Sequence, residues 1–386
     1  MRLLLYDMGA YTQHDIMETL DCMGIAYKNI LYKLKDVSRD AYFEKRVKEL
    51  LAQDSYDAVL SVNYYPVLAE ICHEKELLYL SWSYDSPLSN EKIKKTLWYK
   101  TNYAFFFDRA ECVKYWRKGY GNVYHLPLAV NTGRLDKIKL TEKEKQKYRT
   151  EISMVGQLYD AQLEVLMTPL NDYEKGYLTG IIEAQMRLYG CYFLPEVLTE
   201  EFLTRINDRY EALGQKNIKL GREGLILSVA KHITHMERLL LLDVLSEHYQ
   251  VQLYGPDNPE KLSRVRWRGS AGYFDEMPRI FKQSRINLNV SLKCTESGIP
   301  LRALDIMGCG GFLLTNYQPE LAEYFVDGED LAVYTSLEEA VEKCIYYLEH
   351  EEERRQIAQN GYRKVCEQFG YEDRLRTILR TAGLLV

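Results

Sequence analysis

Ile286-Asn287-Leu288-Asn289-Val290, then Ser297-Gly298-Ile299-Pro300-Leu301-Arg302-Ala303-Leu304-Asp305-Ile306-Met307-Gly308, then Gly311-Phe312-Leu313-Leu314-Thr315 read as strand, helix and strand. The outer runs are short and mostly apolar, as expected of strands covered on both faces. Between them Ser297-Gly298 makes a small-residue turn. Pro300 falls in the first turn of the helix, where its missing N–H costs nothing, and Gly308 with Gly310-Gly311 ends it. Strand, helix, strand is the unit of a parallel sheet.

Working outward, the same alternation recurs on both sides. Downstream lie helices at Leu337–Glu349 and Glu351–Gln368 and a last one over Tyr371–Leu385. Upstream, strand signals fall at Ile152–Val155, Leu225–Val229 (short, and able to continue into a helix), Gln250–Tyr254 and Val265–Arg268, with helices at His235–Glu247 and Met277–Gln283. Between Tyr159 and Gly221 the periodicity is helical throughout, with helices expected at Gln162–Leu188 and Glu196–Leu213. At the beginning of the chain the strands are Leu3–Tyr6, Tyr27–Leu34, Asp57–Val62, Leu77–Trp82, Tyr103–Phe107 and Val123–Leu126. The pattern predicts an α/β protein of two Rossmann-like parallel-sheet domains, residues 1–130 and 151–370. The second carries a helical insertion at about 160–222. The charged stretch 131–150 reads as a linker, and the helix of 371–386 can cross back to the first domain.

Composition bounds the function. The chain has 386 residues, 46% hydrophobic and 27% charged, which suits a folded protein of two domains. Its formal net charge of −6 argues against a dedicated nucleic-acid binder. The first 148 residues are mildly basic, which leaves peripheral contact with an acidic membrane surface open. No apolar run reaches the length of a membrane span or a signal peptide. The eight cysteines show no CxxC spacing, so they frame neither a zinc site nor a disulfide scaffold, and a reducing cytoplasm is expected.

In open parallel sheets, ligands bind at the carboxyl ends of the strands. The turn after the first strand, Met8-Gly9-Ala10-Tyr11-Thr12-Gln13, lacks GxGxxG, and no GxxxxGK[ST] occurs, so dinucleotide and P-loop readings fall away. The segment 293–311 suits a diphosphate better. Free amides and the positive dipole end at the start of its helix attract anions. Arg302 in the first turn can pair with phosphate oxygens, and Asp305 one turn on can accept from ribose hydroxyls.

Here the chain resembles the group-1 glycosyltransferases with the GT-B fold. In that family two acids eight residues apart flank a glycine turn and bind a nucleotide-sugar. Ser297 and Asp305 have that separation, with Ser in place of the first acid and Asp in place of the second. The form Ser-Gly-Ile-Pro-Leu-Arg-x-Leu-Asp followed by Gly-Cys-Gly-Gly-Phe-Leu-Leu-Thr-Asn is similar to the spore-maturation-type branch. So are Tyr273–Pro278, Ile286–Asn289, Ile345–Leu348 and Arg354–Gly361.

The resemblance implies a GT-B glycosyltransferase, its two domains facing a cleft, that moves a sugar from a nucleotide-sugar, UDP-linked, to an acceptor. On this reading Ser297, Gly298, Ile299, Pro300, Arg302 and Asp305 bind the donor. Tyr273 and Met277 lie where the family holds the base, although a core role suits Met277 equally. Gly156 ends the first strand of the second domain and either admits phosphate or serves a plain turn. Lys293 either approaches the diphosphate or is solvated.

Asp85, in Ser81-Trp82-Ser83-Tyr84-Asp85-Ser86-Pro87 after the fourth strand, is placed to act on the acceptor hydroxyl or, alternatively, to cap the next segment. His14 and Asp15 follow the first strand, on the acceptor side or as helix-cap residues. Arg302 and Asp85 are the candidate catalytic pair. No cofactor and no metal is expected, since no Asp-x-Asp occurs and His232 with His235 lacks a third ligand. Two other classes stay open: a nucleotide-sugar 2-epimerase, and a silent nucleotide-sugar-binding protein.

Overall fold

The structure, a computed structural model, describes residues 1–88, 91–160, 163–215 and 219–385. The chain divides into two compact units. The first holds residues 1–133, 297–304 and 365–386; the second holds 134–296 and 305–364.

The first unit is built on six parallel strands: β1 (Arg2–Asp7), β2 (Ala26–Leu31), β3 (Ala58–Val62), β4 (Leu78–Ser83), β5 (Asn102–Phe106) and β6 (Val123–His125). Their order is β2-β1-β3-β4-β5-β6. Every residue of β3 is buried, as expected of an interior parallel strand with helices on both faces. The core on one face joins Tyr6, Phe43, Val47, Val59, Leu68, Tyr79 and Phe106. The helix Tyr371–Thr381 packs on the helix Thr12–Cys22, and Tyr371 sets its ring edge-on to Trp82. Arg374 donates to the Pro127 carbonyl at 3.0 Å.

The second unit is also a six-stranded parallel sheet: β7 (Thr150–Val155), β8 (Val251–Tyr254), β9 (Arg266–Trp267), β10 (Ser284–Asn289), β11 (Leu313–Asn316) and β12 (Ala332–Tyr334). Its order, β12-β11-β10-β7-β8-β9, is the Rossmann order, with the topological switch between β7 and β10. One core lies against this sheet, around Ile152, Leu241, Leu253, Ile286, Leu314 and Tyr334. A separate core joins the helices of the insertion through Leu178, Ile206, Leu225 and Ile233.

Three sequence expectations change. Leu225–Val229 is not a strand but part of the helix Arg222–Ser246. Leu225, Val229, Ile233, Glu237 and Leu241 recur every four residues on its buried side, a helical period that a short aliphatic run conceals. The stretch 131–150, expected as a linker, contains the helices Thr132–Asp136 and Glu142–Tyr148. The second is opened by a Thr141–Glu144 capping box and tied to the helix Glu276–Gln283 by Arg279–Glu144 at 2.9 Å and by Tyr148 donating to Glu276 at 3.0 Å. Residues 297–304, expected to pack with the second sheet, pack with the first unit instead. The expected start of the insertion's first helix, Gln162, lies outside the described residues.

Candidate functional site

In the second unit the carboxyl ends of β7 and β10 bracket the switch point. Gly156 follows β7 with φ +151°, a conformation that side-chain-bearing residues rarely adopt. A Cβ there would lie 3.1 Å from a guanidinium nitrogen of Arg238. Arg238 comes from the helix Arg222–Ser246, is buried, and donates to the carbonyls of Gln157 and Val290, one from each strand end. Its guanidinium also covers the ring of Tyr159 at 4.8 Å.

Beside it, Lys293 is not solvated. It is 8% exposed and bonds Glu237 at 2.7 Å, with its ammonium 4.0 Å from the centre of the Tyr189 ring. Burial pushes the Glu237 carboxyl above its ordinary range, and the Lys293 charge pulls it back. The cavity next to this pair, about 20 Å³, has room for a water and not for a diphosphate.

Tyr273, Met277 and Asp305 come together in the same unit. Tyr273 donates to Asp305 Oδ1 at 3.1 Å, and Met277 is buried beside both. Arg134 lies over the rings of Tyr273 at 5.5 Å and Phe274 at 5.1 Å. Asp305 is thus 5% exposed and held by a tyrosine hydroxyl, beside a cavity of about 10 Å³ that Arg134 bounds.

In the first unit, Asp85 follows β4 and is exposed. Asn63, at φ +63°, donates to Asp85 Oδ2 at 2.7 Å and accepts from the backbone N–H of Tyr84 at 2.8 Å. Asp85 therefore has its loop fixed by another strand end and its carboxylate open to solvent. Asp15 is buried and His14 exposed. With Glu18 they form a group whose ligand atoms lie within 4.8 Å of one another. The Asn131 amide donates to Asp15 at 2.9 Å and Glu18 at 2.8 Å, so both carboxylates already meet a donor.

Ser297 is buried, and its hydroxyl donates to Asp108 Oδ1 at 2.7 Å while accepting from the Ala110 N–H at 2.9 Å. Gly298 follows directly beneath Phe107 and Asp108. Next to them Glu111 accepts from the Ser86 hydroxyl at 2.7 Å and the Leu88 N–H at 3.1 Å. Burial lifts its carboxyl to about 7. Ile299 and Pro300 lead into the helix Leu301–Gly308, which carries Arg302, half-buried, and Asp305.

Within the second unit Tyr273, Met277 and Asp305 lie together; within the first, His14 lies with Asp15, and Asp108 joins the loop of Asp85 to Ser297 by accepting from Ser86 at 3.4 Å and from Ser297 at 2.7 Å. The sequence reading missed Arg238, Glu237, Arg134, Asn63, Asp108, Glu111 and Asn131. Most of these act as partners drawn from distant parts of the chain, and no local spacing marks them.

Residues 236–380 match the family model described as glycosyl transferase-like. No curated protein matches the chain. Among solved structures it is similar to the Anabaena protein HepE in complex with UDP-glucose, at 11% identity and TM-score 0.60, covering 100% of both chains. It is similar to sucrose-phosphate synthase from Thermosynechococcus elongatus at 11% identity and TM-score 0.58, covering 99% of this chain and 98% of that one. A glycosyltransferase from Rickettsia africae ESF-5 aligns at 10% identity and TM-score 0.55, over 99% and 97%. The fold is accordingly that of the GT-B glycosyltransferases: two parallel sheets with flanking helices.

Proposed function

We propose that the chain transfers a sugar from a UDP-linked donor to an acceptor, without a metal ion. One observation carries this reading: the glycosyl transferase-like match covers five strands, β8 to β12, of a sheet in Rossmann order, and the switch point of that sheet is lined by Gly156, outside the match, and the buried Arg238. That is where nucleotides bind in open parallel sheets. HepE, which shares the fold, is known in complex with UDP-glucose, which supports a uridine donor. Asp305, with Tyr273 behind it, is our candidate for the ribose. Arg302, on the same helix, is the candidate that meets charge developing on the leaving diphosphate. Asp85 is the candidate that acts on the acceptor hydroxyl. The form Ser297–Asp305 supports the spore-maturation-type branch.

The test is a thermal-shift screen of nucleotide-sugars, followed by assay of the best binder with candidate acceptors. A donor at about 100 times its Kd stabilises a fold by ~2.7 kcal/mol. Free UDP together with a modified acceptor supports transfer, and activity that persists in EDTA supports independence from metal. Sugar interconversion without acceptor replaces transfer by epimerisation, and tight UDP binding without turnover leaves a binding protein. Loss of activity on chelation, restored by Mn²⁺ or Mg²⁺, removes the metal-free mechanism.

A further inference from the structure

The second unit has another recess, at the amino edge of its sheet, away from the strand ends that carry Gly156 and Lys293. Its volume is about 680 Å³, and it is lined where β7, β10 and β11 begin, by Arg149, Arg285 and Phe312, and by the start of the helix Glu351–Gln368. This is the size range of ligand pockets. Among the described residues its lining carries six basic side chains and two acidic ones, in a chain whose net charge is −6.

The internal ion pairs leave that excess standing. Glu351 alone faces three guanidiniums: Arg285 at 2.9 Å, Arg354 at 2.8 Å and Arg355 at 2.6 Å. Arg285 has a second, longer contact with Glu151 at 3.9 Å. Lys145 is matched by Glu142 at 2.7 Å, and Arg149 adds an exposed cation at the rim. Arg354 is 6% exposed, and its Nε, buried, has no acceptor among the described residues. Arg354 and Arg355 also lie near the start of a helix, where the dipole disfavours cations. Converging like charges cost free energy unless an anion joins them, and planar guanidiniums pair best with phosphate or carboxylate oxygens.

We propose that this recess binds a phosphate-bearing ligand larger than inorganic phosphate: a soluble diphosphate, or the headgroup of an anionic phospholipid. The site is independent of the proposed donor site and does not rest on sugar transfer.

Two arms of one experiment distinguish the sources, both on the full chain at low salt. Inorganic pyrophosphate is titrated calorimetrically with UDP in excess, so that a donor site is already filled. Separately, flotation is measured with phosphatidylcholine vesicles with and without phosphatidylglycerol. A soluble ligand gives heat and no flotation; a lipid gives flotation only with phosphatidylglycerol. Arg149→Glu with Arg355→Glu, both exposed positions, weakens whichever binding is seen by about tenfold or more, since each charge-assisted bond contributes that order. Reversal at Lys45 and Lys75, in the first unit, changes net charge equally and leaves binding intact. No binding in either arm, binding unchanged in the Arg149/Arg355 variant, or equal loss in the Lys45/Lys75 control overturns the proposal.

Discussion

A methyl group on Gly298 would lie 2.7 Å from Phe107 Cδ2 and 2.9 Å from the Asp108 Cα, inside any real contact distance. The neighbour on one side is backbone and has little freedom to move. Gly298→Ala therefore costs about 1–3 kcal/mol of stability, and a denaturation curve checks it; an unchanged midpoint would remove the packing account. The sequence marks this glycine as a turn residue, but why glycine is needed lies in Phe107 and Asp108, far away in the chain. Ser297 is similar. Its hydroxyl is engaged with Asp108, a partner no spacing rule could name.

Glu111 offers a titration with a defined sign. Its folded pKa of about 7 stands above the ordinary 4.5 because burial disfavours the charge. Between those values the folded chain keeps a proton that the unfolded chain releases. Stability from this group is therefore full below about pH 4.5, falls as pH rises, and is lost above about 7. The difference in unfolding free energy between the parent and Glu111→Gln should shift by ~3 kcal/mol across that window. A difference that stays flat from pH 4 to 8 would contradict the burial of a protonated Glu111.

At the scale of elements, the ion pair Lys293–Glu237 joins the loop after β10 to the helix Arg222–Ser246. Both side chains are buried, so removing one leaves a lone charge in the core. Lys293→Met alone should cost roughly 3–5 kcal/mol, whereas Lys293→Met with Glu237→Leu should be near neutral. Urea melts of the single and double variants measure this. A double variant that is as unstable as Lys293→Met would mean that Lys293 acts mainly through Tyr189. The stable double variant also reports on donor binding: unchanged UDP affinity would remove Lys293 from the donor site, one of the two roles the sequence leaves open for it.

The same helix shows where pattern reading runs out. Leu225-Ile226-Leu227-Ser228-Val229 looks alike as a buried strand or a buried helix, and only the length of Arg222–Ser246 settles it. Glu142–Tyr148 was hidden differently, since its charge density suggested a tether while its Thr141–Glu144 capping box marked a helix start. Tyr103–Phe107, by contrast, was legible because a wholly apolar run of that length admits little but an interior strand, as β5 is.

For the whole molecule, two parallel sheets were legible from alternation alone, since parallel strands need helical crossovers and leave that rhythm in the sequence. Strand order was not, because it depends on which strand lies beside which: β7 beside β10 is a long-range choice. The candidate site residues could be named from the sequence but their neighbours could not: Tyr273 meets Asp305 across 32 positions, Ser297 meets Asp108, and Arg238 stands behind Gly156.

The last prediction divides the two units by function. Asp305 belongs to the second unit, bonded by Tyr273, on the reading that it accepts from ribose. Asp305→Ala should weaken UDP itself and raise the donor KM. Asp85 belongs to the first unit, its carboxylate exposed and oriented by Asn63. Asp85→Asn should keep UDP affinity while lowering kcat by a factor of about 10²–10⁴, the usual loss of an acid–base partner. If Asp85 only fixes its loop, Asp85→Asn instead loses about 1 kcal/mol of stability with turnover preserved. Calorimetric UDP titration, a melting curve and steady-state kinetics on both variants separate these outcomes. UDP binding abolished by Asp85→Asn and spared by Asp305→Ala would exchange the roles of the two units, since the nucleotide would then depend on the first sheet and not on the one in Rossmann order.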